Sequence, residues 1–278
     1  MTITSKTWFI TGASRGFGRI WTEAALARGD RVAATARDLK TLDALVAQYG
    51  DRVLPLRLDV ADRAAAQQAV QTAHAHFGRL DVVVNNAGYG LFAMAEEASE
   101  EQARAQFETN FFGAMWVTQA ALPLLRAQGG GHLVQVSSIA GVTTYPWFSV
   151  YAASKWALEG YSQALAAEVQ PFGIKVTLVE PTGYATDWSG GSAVRAQPMP
   201  EYDGVRVQVM AAWQKSVPGD PQATAPALLA LVDAEHPPLR AFFGAGLLDM
   251  MRAEYAQRLD TWAEWSEVAD AAMGSGGR

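Results

Sequence analysis

The sequence predicts an α/β fold, a doubly wound parallel sheet with helices on both faces, in a single domain over residues 1–278. Three observations predict it. Short β-branched runs alternate with longer helical patterns, the connections are short, and several runs are apolar on successive residues. Seven strands are expected, at Thr7–Thr11, Arg31–Ala36, Arg52–Leu58, Leu80–Asn85, His132–Ser137, Ile174–Glu180 and Leu239–Phe243. Val82-Val83-Val84 and the run Val176 to Val179 show the continuous apolar character of strands covered on both faces. Helical patterns fill the gaps at about 16–29, 38–49, 62–77, 99–127, 150–170 and 221–234.

No linker and no internal repeat divides the chain. One segment, about 182–219, interrupts the alternation; it holds Gly190-Gly191, Pro198, Pro200, Pro218 and the aromatics Tyr184, Trp188, Tyr202 and Trp213. A stretch this long after a strand of a compact α/β domain usually forms a lid or binding segment. Asp249 to Ala272 reads as an amphipathic helical tail, and Gly274 to Arg278 as a frayed end.

Composition removes several function classes. With 50 % hydrophobic and 18 % charged residues the chain has ample material for a core. A formal charge of −6 argues against nucleic-acid binding, which calls for a basic face. Cysteine is absent, which rules out disulfides and thiolate chemistry. The four histidines (His74, His76, His132, His236) make no ligand cluster, so no metal site is expected. Met1 to Lys6 leads straight into Trp8-Phe9-Ile10 without a basic start and a long apolar run, and the two uncharged stretches, Thr109–Leu125 and Ala127–Ser154, are broken by polar residues and Gly or Pro. Neither an export signal nor a membrane span is expected, and a cytoplasmic protein is.

The first strand runs into Thr11-Gly12-Ala13-Ser14-Arg15-Gly16-Phe17-Gly18 and then a helix. Glycines here let backbone approach a pyrophosphate while the helix N-terminus faces its charge, a Rossmann-like arrangement. The spacing, Gly-x-x-x-Gly-x-Gly, departs from the usual dinucleotide fingerprint, and such a turn also occurs for purely structural reasons. At the end of the second strand an NAD enzyme places an acid to receive the ribose 2′-hydroxyl. Here the strand ends Thr35-Ala36-Arg37, and Arg37 with Arg15 offers guanidinium groups to a 2′-phosphate, which points to NADP(H). Asp38 is the competing reading, because its carboxylate would suit NADH.

Four features further along carry chemistry. Tyr151 and Lys155 stand four apart on one helix face, where an ammonium can lower the tyrosine pKa from about 10 toward a working value. Ser138 ends the fifth strand, at the carboxyl edge where such sheets bind ligands. Asn110, among bulky apolar residues of a long helix, either bonds to backbone or holds a water. Asn85-Asn86-Ala87-Gly88 closes the fourth strand with amides and a tight turn. Each alone is ordinary; together, in this order, they are not.

Taken together these residues resemble the short-chain dehydrogenase/reductase family, in its compact single-domain branch, closely over about residues 5–187. The resemblance implies that Gly12, Ser14, Arg15, Gly16, Phe17 and Gly18 form the cofactor loop, that Asp59 and Val60 meet the adenine, and that Asn86, Ala87 and Gly88 line the cleft. It implies a tetrad of Asn110, Ser138, Tyr151 and Lys155. Tyr151 is then the acid–base, Ser138 polarises the carbonyl, Lys155 also binds the nicotinamide ribose, and Asn110 holds a water joining Lys155 to solvent. Pro181, Gly183 and Thr186 would lie beside the carboxamide. One departure stands out: the family's Pro-Gly is here Pro181-Thr182, with Gly183 one place later.

The expected activity is hydride transfer between NADPH and a ketone or aldehyde, or the reverse. Two alternatives stay open on this fold: a nucleotide-sensing binding protein, and a sugar-nucleotide epimerase or dehydratase. A pocket wall of Val142, Tyr145, Trp147, Phe148, Tyr184 and Trp188, without Arg or Lys, favours a hydrophobic, uncharged substrate. Helices 99–127 and 150–170 are apolar on more than one face, at Phe107, Phe111, Met115, Trp116, Trp156, Leu158 and Tyr161, so a homodimer or homotetramer is expected.

Overall fold

The computed structural model describes residues 5–274 and forms a strand at each of the seven expected runs. In chain order come β1 (Thr7–Ile10), α1 (Gly16–Ala27), β2 (Arg31–Ala36), α2 (Asp43–Tyr49), β3 (Val53–Arg57), α3 (Arg63–Phe77) and β4 (Val82–Asn85). A short β5 (Leu91–Phe92), α4 (Glu100–Phe107), α5 (Gly113–Ala127), β6 (Gly131–Val136), α6 (Ser149–Val169) and β7 (Ile174–Pro181) follow. The chain then forms β8 (Val194–Arg195), α7 (Asp203–Gln214), α8 (Thr224–Asp233) and β9 (Arg240–Phe243).

The sheet is parallel throughout, in the order β3-β2-β1-β4-β6-β7-β9. From β1 the chain winds outward to β3, then returns to lay β4 on the other side of β1. That reversal puts the carboxyl ends of β1 and β4 side by side, where open α/β sheets open a ligand crevice. Strand residues alternate between faces, and both faces are covered. Trp8 and Ile10 join Trp21, Leu26, Val84 and Leu228 on one side, while Phe9 joins Val70, Phe77, Val83 and Leu125 on the other. This is the physical source of the unbroken apolar runs.

The helix expected at 99–127 is interrupted. Ser99 and Gln102 cap its start reciprocally, but Glu108–Phe112 form a π-helical turn between α4 and α5. Such a turn seats one extra residue and is often found at functional sites; Asn110 lies inside it. The segment 182–219 is also more ordered than a plain loop. It contributes α7, and β8 pairs in parallel with β5, Leu91 opposite Val194 and Phe92 opposite Arg195. Arg206 anchors α7 through a buried ion pair with Glu97 and a second with Asp203 at 2.8 Å.

The chain divides into two compact units, Met1–Phe243 and Gly244–Arg278. The second holds α9 (Leu247–Glu264) and α10 (Ser266–Ala272), so the expected tail helix is present with a break at Trp265. The fraying expected toward Arg278 lies outside the described residues beyond Gly274. Among the described residues no helix is long and apolar enough to cross a membrane. Nor does any group of three or more His, Asp or Glu side chains stand ready to hold a metal ion.

Candidate active site

The loop after β1 is fastened to the end of β4 by polar bonds in which the loop accepts and Asn86 and Ala87 donate. Asn86 N and Ala87 N both donate to Thr11 Oγ1 at 2.9 Å, and Asn86 Nδ2 donates to the carbonyls of Thr11 (2.8 Å) and Gly12 (3.2 Å). Gly12 takes φ +67°, and a Cβ on Gly18 would overlap the Gly12 carbonyl oxygen. Glycine is required at both places, at the first for backbone conformation and at the second for close approach. No side chain caps the N-terminus of α1 at Arg15, so its first N–H groups remain available to an anion. This cradle fits a pyrophosphate: backbone at Gly12, Ser14, Gly16 and Gly18 faces the crevice end of the sheet. Phe17 contributes backbone alone, because its ring stacks on Trp21 (5.1 Å) and meets the edge of Tyr184 (5.1 Å).

At the adenosine end Arg37 is exposed just past β2, and its charge acts on the Tyr89 hydroxyl, opposing the rise that burial causes there. Asp38 turns away from it: its carboxylate accepts from Lys40 N at 3.1 Å and caps the next short helix. Asp59 is exposed, its carboxylate accepting from Ala61 N at 3.1 Å, whereas Val60 is buried. Arg15 has a second partner. Its Nη1 lies 3.3 Å from Asp187 Oδ2, so the cofactor loop is tied to the segment after β7. Both side chains are about half exposed, so water screens the pair and it holds the loop only weakly.

The tetrad residues come together. Ser138 extends β6, Tyr151 and Lys155 face it from α6, and Asn110 lies across Gly88 from the Lys155 ammonium. Tyr151 is hydrogen-bonded to Ser138, and Ser138 Oγ accepts from Ala140 N at 3.1 Å. Asn110 bonds to backbone. Its Oδ1 accepts from Tyr89 N (3.1 Å) and its Nδ2 donates to Tyr89 O (3.0 Å) and Ser154 Oγ (3.3 Å). Gln106 adds a second donor to Tyr89 O at 3.0 Å.

Burial pushes Tyr151 up to about 12, only partly opposed by the bond from Ser138. Lys155 Nζ stands 5.9 Å from the Tyr151 ring centroid and donates to Val136 O at 2.8 Å. Burial pulls Lys155 down to about 8, against the opposing charge of Glu159. The physical reason is desolvation: both groups are more than nine-tenths buried, and burial disfavours the charged form of each.

After β7, Thr182 N donates to Phe243 O at 3.0 Å, and Gly219 N donates to Gly183 O at 2.9 Å. Gly183 does not take a positive φ and has open space where a Cβ would stand. Thr182 itself takes no positive φ, so a side chain at that position is not strained by the backbone. Pro181 ends β7 buried, and Thr186 caps a short turn, its hydroxyl accepting from Trp188 N at 3.4 Å.

The aromatic wall is partly as expected. Trp188 packs on Tyr151 (5.2 Å), Phe148 on Tyr151 (5.9 Å), and Trp147 stacks on Trp213 (5.7 Å). Tyr184 is elsewhere, against Phe17 and the core beneath α1. Phe92 was not foreseen; it touches Trp147, Phe148, Trp188 and Trp213. Only its place in a short apolar run after Gly88 could have signalled it. Arg195 adds a cation at the rim, 4.7 Å over the Phe92 ring.

The sequence matches the short chain dehydrogenase family over residues 6–194. It is 43 % identical over 244 residues to oxidoreductase BOA17 of Botryotinia fuckeliana, covering 86 % of this chain and 89 % of that one. It is 32 % identical over 259 residues to human retinol dehydrogenase 8, covering 86 % and 82 %. A short-chain dehydrogenase from Streptomyces avermitilis superposes with a TM-score of 0.90 at 39 % identity, covering 97 % of this chain and 99 % of that one. An alcohol dehydrogenase from the archaeon Thermococcus sibiricus, complexed with 5-hydroxy-NADP, superposes at 0.72 with 26 % identity over 86 % and 96 %. With a phosphate cradle at the switch of the sheet and a tyrosine, serine and lysine assembled beside it, the chain belongs to the short-chain dehydrogenases and is an oxidoreductase that uses a nicotinamide cofactor.

Proposed function

We propose that this enzyme reduces a hydrophobic, uncharged ketone or aldehyde with NADPH, or oxidises the matching alcohol, with Tyr151 as the acid–base. The observation that carries the reading is a buried Tyr151 bonded to Ser138, with Lys155 behind it and aromatic rings in front. When bound, NADPH supplies the hydride. A neutral Tyr151, held protonated by burial, gives its proton to the carbonyl oxygen, and Ser138 donates to the same oxygen to polarise it. The Lys155 ammonium then favours the phenolate left behind. Phe92, Trp147, Phe148, Trp188 and Trp213 exclude water and present ring faces, which suits an apolar substrate; a relative named for retinol, an apolar alcohol, agrees with that. Arg37 and Arg15 favour the 2′-phosphate of NADPH.

The test is a panel of ketones and aldehydes run with NADPH and with NADH. Turnover of apolar ketones with NADPH supports the reading; binding of NADPH with no turnover of any member would support a nucleotide-sensing role instead. We also propose a homodimer or homotetramer. Phe107, Phe111, Met115, Trp116 and Tyr161, on α4, the π turn, α5 and α6, stay half-buried, more apolar surface than one sheet covers. Light scattering at micromolar concentration decides it, and a monomer refutes it.

A further inference from the structure

Tyr151, Lys155 and Glu159 follow at four-residue spacing along the buried face of α6. Behind Lys155, Glu159 meets Glu180 from the carboxyl end of β7 and Arg240 from β9. Arg240 Nε donates to Glu159 Oε2 at 2.9 Å and stands 3.5 Å from Glu180 Oε1, while its Nη2 donates to Gln163 Oε1 at 2.9 Å. Glu180 is fully buried and Glu159 nearly so. The two carboxyls face each other closely enough to bond through a proton. Without that proton, Glu159 Oε1 and both oxygens of Glu180 have no hydrogen-bond partner. One guanidinium against two adjacent buried carboxyls cannot hold both ionised at low cost.

We propose that Glu159 and Glu180 share one proton, and that the charge this leaves on Glu159 keeps Lys155 an ammonium. Both are positioning residues, acting on the reaction through Lys155; the inference rests on the reading of Tyr151 and Lys155 given above. The groups facing Lys155 are Tyr151 and Glu159 on its own helix, the Val136 carbonyl from β6, and Asn110 across Gly88. Those facing the pair are Ser137, Arg240 and Gln163. The directions of titration agree: burial raises both glutamates, Glu180 to about 8, and Glu159 is the group that opposes the fall of Lys155. Lys155 and Glu180 are thus brought toward one pH range, each acted on by the charge of Glu159.

The two glutamates differ in the size of their effect. Glu159→Gln removes the negative charge beside Lys155, so the ammonium is lost earlier and the alkaline limb of kcat/KM for reduction moves down by about one pH unit. Glu180→Gln keeps Glu159 ionised against Arg240, so the same limb moves down much less. A packing role alone would weaken both variants without moving the limb more in one than in the other. Should a glutamine variant not fold, Arg240→Gln serves: without the guanidinium the pair keeps its proton and the limb moves down.

The cofactor-free readout is infrared titration of the wild type. A protonated carboxyl band at pH 7 that disappears on alkaline titration, and is absent in Glu180→Gln, is expected. No such band, or a limb that moves no further in Glu159→Gln than in Glu180→Gln, overturns the proposal. A Tyr151→Phe variant run alongside separates the two readings. If it keeps full activity the acid–base assignment fails, while the infrared band still decides whether the proton is shared.

Discussion

The loop after β1 and the aromatic cover on Tyr151 are built by opposite means. The loop is a backbone construction, in which Thr11, Asn86 and the carbonyl of Gly12 are bonded at 2.8 to 3.2 Å and glycine is required where chain meets chain. The cover is a side-chain construction, five rings with centroids 4.9 to 6.2 Å apart and no directional bond among them. Its one backbone peculiarity is Trp147, at φ +77°, which turns its ring onto Trp213 while its carbonyl accepts from Ala93 N at 3.0 Å. Polar backbone geometry has a single solution for a given ligand, whereas apolar packing has many. Chemistry common to many substrates can be fixed on the first side while the second side changes what is accepted.

Tyr151 is the joint between the two sides, and the largest effect is expected there. Tyr151→Phe removes the proton donor and keeps the ring that packs on Trp188 and Phe148. Since a positioned acid contributes about 10² to 10⁴ in rate, kcat should fall at least about a hundredfold with the NADPH Kd nearly unchanged. Retained turnover breaks the mechanism. Next is Gly18→Ala, which places a methyl group on the Gly12 carbonyl and the Asn86 amide. Overpacking against backbone costs about 1–3 kcal/mol, so NADPH should bind about tenfold weaker or more, measured by fluorescence titration. Unweakened binding would mean that the cradle is not fixed as its bonds suggest.

The same contrast explains what could be read from residues alone. All seven strands were legible, because a parallel sheet covered on both faces demands successive apolar residues that few other structures tolerate. Gly12, Gly18 and Asn86 were legible because each answers a local backbone need. The interruption at Glu108–Phe112 was not, since a π turn carries no side-chain periodicity of its own. Phe92 in the cover was hidden for a different reason: apolar character predicts burial without naming a neighbour. Arg15 was assigned to the cofactor, and its bond to Asp187 is a contact between residues 172 apart that no local pattern encodes. Glu159 lies four residues beyond Lys155 on the same buried stripe, a spacing visible in the residues alone.

Coenzyme preference tests the loop side further. Arg37 is exposed next to the loop, whereas Arg15 must leave Asp187 to meet a 2′-phosphate. Charge-assisted bonds contribute about 1.5–3 kcal/mol each, far more than an exposed ion pair, so exchange favours the phosphate. The wild type should prefer NADPH over NADH by about tenfold in kcat/KM, and the Arg15→Ala/Arg37→Ala double variant should lose most of that preference. Arg37→Ala alone should lose more than Arg15→Ala alone. A wild type favouring NADH reverses the assignment and points to Asp38.

The smallest effect is expected on the cover. Trp213, in the last turn of α7, stacks on Trp147 at 5.7 Å and meets Phe148 at 5.4 Å and Phe92 at 5.9 Å. It remains 39 % exposed and lies farther from Tyr151 than Trp188 does, so it shapes the outer wall rather than the reacting centre. An aromatic pair of this kind contributes about 0.5–1.5 kcal/mol beyond the area it buries. Trp213→Ala should raise KM for an apolar ketone several-fold, by less than about tenfold, with kcat and the NADPH Kd little changed. Arg206 holds the first turn of α7 through Glu97 and Asp203, so the helix should keep its place when the indole is removed. The comparison is sharpest with substrates of increasing apolar length. If the cover is a side-chain surface that reads size and polarity, the KM penalty should grow with chain length. A penalty that is uniform across the series, or that falls on cofactor binding, would show that Trp213 supports the loop side instead.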